Sequence, residues 1–205
     1  MKSINMLRLI FLLLIGSVSA EENKSPEDVV ILETTLGTIS IKLFHDTAPI
    51  SSADFLRYVK QDLYQNEGFY RVVREDNDHG EPKIDIIQGG LLDDKEGLSP
   101  VAHETTKKTG LAHKRGAVSL ARGEVGSGSA AYFFIVVKDS PGLDFGENRN
   151  LDKQGFAVFA EVIKGMEIVD RIYQTPKSEL KGEGYLHGQI LKSPILISSA
   201  KATRQ

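Results

Sequence analysis

Two side chains in this sequence have the most capacity for chemistry at a fixed place. They are the guanidinium of Arg71, within Phe69-Tyr70-Arg71-Val72-Val73, and the amide of Gln88, which closes Ile84-Asp85-Ile86-Ile87-Gln88 before Gly89-Gly90. The aromatic and β-branched neighbours favour a strand, so Arg71 projects from a strand face beside them. A cation there either lays its stem along the surface with its head in water or is held as a donor. The commoner chemistries fail on spacing. His103-Glu104 is followed by His113, too distant for a zinc-binding pair one helical turn apart, and His45, His79 and His187 stand alone. Neither Ser127 nor Ser129 has both glycines of a nucleophile elbow. Gly126 to Ala131 matches a relaxed dinucleotide fingerprint, but the β-rich run Tyr132 to Val137 follows where a helix is required. Asp76, Asp78 and Gly80 begin like a calcium loop, yet Ile87 occupies the position of its terminal glutamate. No cofactor or metal is expected.

Rotation about a peptidyl-proline bond needs none of these groups. It breaks no covalent bond and is slow because the amide must lose its double-bond character. A catalyst of that reaction needs an apolar pocket for the ring and a fixed donor. The twisted proline nitrogen regains a lone pair, which a guanidinium bonds better than it bonds the planar amide.

The elements that would position such a site are short strands. Val29 to Thr34 and Thr38 to Phe44 read as a hairpin turning at Gly37, with Ile39, Ile41 and Leu43 on one face. Pro49 opens a helix running to about Leu63-Tyr64, in which Phe55, Leu56 and Val59 fall at helical spacing. The Arg71 strand follows, then a polar insertion from Arg74 to Lys83 and the Gln88 strand. Residues 91 to 115 read as irregular. Strands are expected at Gly116 to Ala121, Tyr132 to Val137, Phe156 to Ile163 and around Ile195 to Ile197, with a second helix from Met166 to Tyr173. About eight strands and two helices without a repeat predict a mainly β fold, a closed eight-stranded antiparallel barrel capped by two α-helices.

Composition sets the context. A chain of 205 residues with 40% hydrophobic residues holds one globular domain with a substantial core. Lys2 and Arg8 flank an apolar run, Leu9 to Ile15, followed by Val18-Ser19-Ala20, the pattern of a cleaved signal peptide over residues 1–20. A polar leader, 21–28, then precedes the domain, 29–205. Losing Lys2 and Arg8 takes the formal net charge from −3 to −5, which speaks against nucleic acid as a partner. Lys107, Lys108, Lys114 and Arg115 read as a solvated loop. The chain has no cysteine, so an exported product must be held by its core alone. The expected location is the periplasm, with secretion as the alternative, and no stable membrane anchor after cleavage.

The ordered motifs carry a family resemblance. Leu36-Gly37-Thr38-Ile39, Ala48-Pro49, Phe69 to Val73, Ile87-Gln88-Gly89-Gly90, Val118-Ser119-Leu120-Ala121-Arg122, Phe133-Phe134-Ile135, Phe156 to Phe159 and Val162-Ile163-Lys164-Gly165-Met166 occur in sequence. Together they resemble the cyclophilin-type peptidyl-prolyl cis-trans isomerases, from about Val30 to Ile172. The resemblance implies that Arg71 is the catalytic arginine, with Gln88 bonding the substrate backbone and helping to hold it. Phe134 becomes the pocket floor, Ile86 an apolar pocket residue, and Ala121 and Arg122 the strand end that pairs with substrate. Phe69 and Tyr70 are placed at the substrate surface with Arg71. Tyr132 stands in for a glutamine, Phe156 for the usual active-site histidine and Tyr70 for a further histidine. The pocket leucine is Leu143 or Leu151, with Leu143 preferred. Asp85 falls where an aromatic wall residue is usual, and Gly142 where many members carry the tryptophan that binds cyclosporin, which implies weak drug sensitivity. The implied partners are proline-containing segments of unfolded or folding proteins, bound by a monomer. The competing reading is a proline-peptide-binding chaperone with little catalysis, prompted by Asp85.

Overall fold

The computed structural model describes residues 28–92 and 97–204. The expected signal peptide and nearly all of the expected polar leader lie outside the described residues. Eight strands follow one another: β1 (Asp28–Thr34), β2 (Gly37–Leu43), β3 (Gly68–Val73), β4 (Asp85–Gly90), β5 (Ala117–Leu120), β6 (Tyr132–Lys138), β7 (Ala157–Lys164) and β8 (Ile190–Arg204). They close into one antiparallel barrel in the order β1-β2-β7-β5-β6-β4-β3-β8.

Alternation along each strand divides its side chains between two layers. The inner set, including Leu32, Ile39, Ile41, Phe69, Ile87, Phe133, Ile135 and Phe159, fills the barrel. The outer faces of β3, β4, β6 and β5 contribute Val73, Ile86, Phe134, Val136 and Ala117 to a second, smaller cluster outside the barrel wall, with Ile84 and Leu143. This second layer is the base of the groove described below.

Helix α1 (Pro49–Lys60) and helix α3 (Met166–Gln174) bury Phe55, Tyr58, Val59 and Ile168, Val169, Ile172 in the inner core. A third helix, α2 (Thr106–Thr109), interrupts the stretch expected to be irregular throughout. It has one turn, capped by the Thr105 side chain and ended by Gly110 in the left-handed conformation. Among the described residues the two expected helices thus become three. α1 has no capping side chain at Ala48. Its first amides are met instead by the buried Glu104 carboxylate, which accepts from Ile50 N at 3.3 Å and from Ser51 N and Oγ at 2.8 Å each. A negative group at a helix start offsets both the orphan donors and the dipole. The His103-Glu104 pair, rejected as a metal motif, therefore includes a remote cap. α1 also ends earlier than its apolar spacing suggested, and β8 is much longer, fifteen residues against the short final strand expected.

Candidate active site

β3 places Arg71 through a bulge. Phe69 lies opposite Gly89 of β4 and Arg71 lies opposite Gln88, so Tyr70 is an extra residue in the ladder. A bulge reverses the alternation at that point. Phe69 accordingly turns into the barrel, fully buried and edge-on to Phe133 at 5.7 Å, while Tyr70 and Arg71 both face outward. The expectation that Phe69 lies at the substrate surface is corrected on that ground. Unbroken alternation would set Phe69 on the face of Arg71, and the bulge turns it to the other.

Outward from β3, β4 and β6 lies a groove of about 1060 Å³. Its walls include Tyr70, Arg71, Ile86, Gln88, Ala121, Arg122, Tyr132, Phe134, Leu143 and Phe156. Every sequence-predicted site residue except Phe69 is thus brought to one cavity. Phe134 and Phe156 meet edge-to-face at 5.4 Å, and Leu143 is buried beside them, whereas Leu151 is fully exposed away from the groove. Of the two candidate leucines, Leu143 lines the groove and Leu151 does not. Ile84 adds an apolar wall beside Ile86. Asp85 lies outside the groove, bonded to the Tyr173 hydroxyl and to Lys138 Nζ at 3.1 Å. Gly142 abuts the insertion, where an added Cβ would meet Pro82 Cγ at 2.2 Å. No larger residue fits there without displacing that loop.

Arg71 is gripped from two sides. Its Nη1 donates to Gln88 Oε1 at 2.6 Å, and its Nε and Nη2 both donate to Gln189 Oε1 at 2.9 and 2.6 Å. The carbonyl of Gln189 is fixed in turn, because Gln189 is fully buried and its Nε2 donates to Asn77 O at 2.8 Å. Three of the five guanidinium N–H groups are committed, and two remain for a ligand. Burial draws the Arg71 pKa down from its ordinary value, but the group stays charged at physiological pH. Because both of these acceptors are neutral amides, the positive charge is not cancelled by a carboxylate. Gln88 Nε2 donates to the Tyr70 hydroxyl at 2.8 Å. Burial pushes that phenol up to about 12, so it stays protonated.

Arg122 plays a part that its sequence position did not announce. Its buried side chain donates to Gly155 O at 2.8 Å, pairs with both oxygens of Asp152 and lies 5.2 Å from the Phe156 ring. The guanidinium is a strut for the loop that carries Phe156. Behind the pocket floor, His113 stacks on Phe134 at 5.8 Å between Asp144 Oδ1 at 2.7 Å and Ser119 Oγ at 3.1 Å. His113, Gln189, Arg149 and Tyr185 were missed by sequence reasoning. Only the flanking glycines of Tyr185-Leu186-His187-Gly188-Gln189 marked that stretch, and they read as turns.

The sequence profile described as "Cyclophilin type peptidyl-prolyl cis-trans isomerase/CLD" matches residues 29–201. The chain belongs to this family. The cyclophilin is 32% identical over 192 residues to a peptidyl-prolyl cis-trans isomerase of Acinetobacter baylyi, covering 92% of this chain and 93% of that one. It is 33% identical over 175 residues to peptidyl-prolyl cis-trans isomerase B of Escherichia coli, covering 83% and 97%. Among solved structures, the cyclophilin is similar in fold to a Cryptosporidium parvum cyclophilin type peptidyl-prolyl cis-trans isomerase crystallised in the presence of the dipeptide Ala-Pro. That match has a TM-score of 0.66 at 19% identity, over 86% of this chain and 99% of the other.

Proposed function

We propose that this cyclophilin accelerates cis-trans rotation about X-Pro bonds with Arg71 as the transition-state donor, and that it does so during the folding of exported proteins. The observation that carries the reading is the grip on Arg71 by two neutral amides, which leaves a charged, oriented donor beside an apolar pocket. The proline ring rests on Phe134 between Leu143, Ile86 and Phe156. As the amide twists, a free guanidinium N–H meets the nitrogen lone pair. That bond is stronger in the twisted state than in the planar one, so it lowers the barrier rather than merely tightening binding. Gln88 holds Arg71 through its carbonyl and keeps one amide hydrogen for a substrate carbonyl, and the exposed backbone at Ala121 and Arg122 lines the run of the peptide.

The chaperone alternative drew on Asp85, whose carboxylate is engaged away from the groove by Tyr173 and Lys138; no observation now favours it. Export through the signal peptide to a periplasmic or secreted location, a monomeric state, weak cyclosporin binding and no nucleic-acid partner belong to the same proposal. The N-terminal sequence pattern supports export, the acidic net charge speaks against nucleic acid, and Gly142 supports weak cyclosporin binding. The test is exchange NMR on an Ala-Pro peptide. Wild type should speed interconversion, and Arg71→Ala should lower kcat/KM by about 100-fold or more, the scale of removing a preorganised donor. Equal rates for both proteins would remove Arg71 from the mechanism.

A further inference from the structure

The groove does not end at the proline pocket. Its volume of about 1060 Å³ slightly exceeds the roughly 300–1,000 Å³ of ordinary ligand pockets and is far more than one prolyl ring fills. Beyond Arg71 it continues over Leu186, Ile190, Leu191 and Pro194 to Tyr185. Tyr185 is 47% exposed and Leu186 40% exposed, yet the tyrosine is not a loose surface ring. Its hydroxyl takes a hydrogen bond from Arg149. Arg149 is itself clamped by two bonds to Asp78, Nη1 to Oδ2 at 2.8 Å and Nη2 to Oδ1 at 2.6 Å, and by Pro82 O at 2.8 Å. The Arg71 guanidinium lies 5.6 Å from the ring centroid. The ring is fixed at its polar end, flanked by the Arg71 and Arg149 guanidiniums and by His79, and still half exposed. The part that remains open suits apolar contact, because little side-chain entropy remains to be lost on binding.

We propose that Tyr185, with Leu186, Ile190 and Pro194, forms a second apolar subsite that takes an apolar or aromatic side chain flanking the proline, making Tyr185 a specificity-determining residue. This rests on the isomerase reading above and deepens it. The occupant is the same peptide that fills the proline pocket, since the two sites share one cavity. The side chains that line it are apolar, and the guanidinium that holds the ring, Arg149, already has Asp78 as its carboxylate partner. Lys181 keeps its charge while donating to the Lys192 carbonyl at 2.9 Å, so the test includes an acidic side chain. The subsite depends on the insertion at 74–83, which supplies Asp78 and Pro82 to hold Arg149.

The test is a series of blocked peptides with a central Ala-Pro, carrying Gly, Leu, Phe, Glu or Lys at one or two residues on either side. Their turnover is read by exchange NMR with wild type, Tyr185→Ala and Tyr185→Phe. Wild type should prefer Phe or Leu over Gly at one of these positions by roughly tenfold in kcat/KM, expressed in KM. Tyr185→Ala should bring that ratio below about twofold, and Tyr185→Phe should retain most of it. A wild-type profile flat across the series, or favouring Glu, overturns the subsite, as does an unchanged ratio in Tyr185→Ala. Absence of turnover of every peptide by wild type would instead overturn the isomerase reading. If Tyr185→Ala does not fold, Tyr185→Ser is read in its place, with the ratio again expected to collapse and an unchanged ratio overturning the subsite.

Discussion

Gln189 offers one carbonyl oxygen to two nitrogens of Arg71, which makes it the counterpart of Gln88 on the opposite side of the guanidinium. Replacing it with leucine keeps the volume but leaves two N–H groups of a mostly buried cation without their acceptor, at a cost of about 1–3 kcal/mol. Gln189→Leu should lower both the urea midpoint and kcat. Gln189→Glu separates position from charge: it can still hold Arg71, but its carboxylate offsets the cation that serves the transition state. Gln189→Glu also sets a carboxylate oxygen against the Asn77 carbonyl that Gln189 Nε2 now meets, so a lower urea midpoint together with clearly reduced kcat is expected, and full activity would show that the uncancelled charge is not needed. His113 makes a different prediction. Burial pushes its imidazole below the ordinary value, against the opposing pull of Asp144. The unfolded chain then binds more protons than the folded one below about pH 6.5, so stability is fully present above that pH and falls on acidification until the folded pKa is reached. The loss grows by about 1.4 kcal/mol per unit of separation. Urea melts from pH 7.5 to 4.5 should show a steeper acid-side decline in wild type than in His113→Asn.

At the scale of elements, three segments with no regular pattern meet around Arg71: the insertion at 74–83, the loop at 144–155 and the stretch at 175–189. The Asp78–Arg149 pair ties the first two together. Burial alone would raise the Asp78 carboxyl, but hydrogen bonds from Arg149 and from the Gly80 and Ile84 amides hold it below its ordinary pKa. Removing one partner of so buried a pair strands the other, at about 3–5 kcal/mol. Asp78→Ala should lower the thermal midpoint by several degrees and shift the indole-free near-UV signal of Tyr185, while Arg149→Met, which removes the other charge, should be milder in the Asp78→Ala background than alone. Additive losses would show that the pair is not coupled. These segments also mark where the sequence stopped being legible. Arg71, Gln88 and Phe134 could be read because strand alternation and ordered motifs bind each to a face, whereas Leu143, on no strand, could be read only as the preferred one of two leucines. The bulge at Tyr70 broke that alternation within a single residue, which is why Phe69 was misplaced. Gln189 and Tyr185 both contact Arg71, more than a hundred positions away, and turn-rich chain carries no periodicity that would aim them. The barrel itself was readable because every strand had its own pattern, whereas α2 has a single turn and too few residues to show one.

For the whole molecule, closure is the feature on which the rest depends, because a closed barrel has no unpaired strand edge. β8 completes it in two parts. Its first half pairs with β3, with Ile190, Ile195 and Leu196 opposite Arg71, Phe69 and Gly68. Its second half pairs with β1, from Thr34 opposite Ile197 to Asp28 opposite Arg204. The half next to β3 supports the active site, and the half next to β1 seals the barrel. Ending the chain after Ser198 would spare the first and remove most of the second, taking with it the buried Ala200 and baring the outer edge of β1. The apolar strand so exposed can pair with another copy. The truncated protein should therefore have a lower urea midpoint and a concentration-dependent shift to larger species in size-exclusion chromatography with light scattering. Full-length protein should remain a single species with coincident fluorescence and circular dichroism transitions, as a one-core domain requires. Folded truncated protein should keep measurable turnover of an Ala-Pro peptide, since Arg71, Gln88, Gln189 and Phe134 are all retained. A truncated chain that stays monomeric with an unchanged midpoint would mean that the β1–β8 seam contributes little, and that the inner core holds the barrel shut without it.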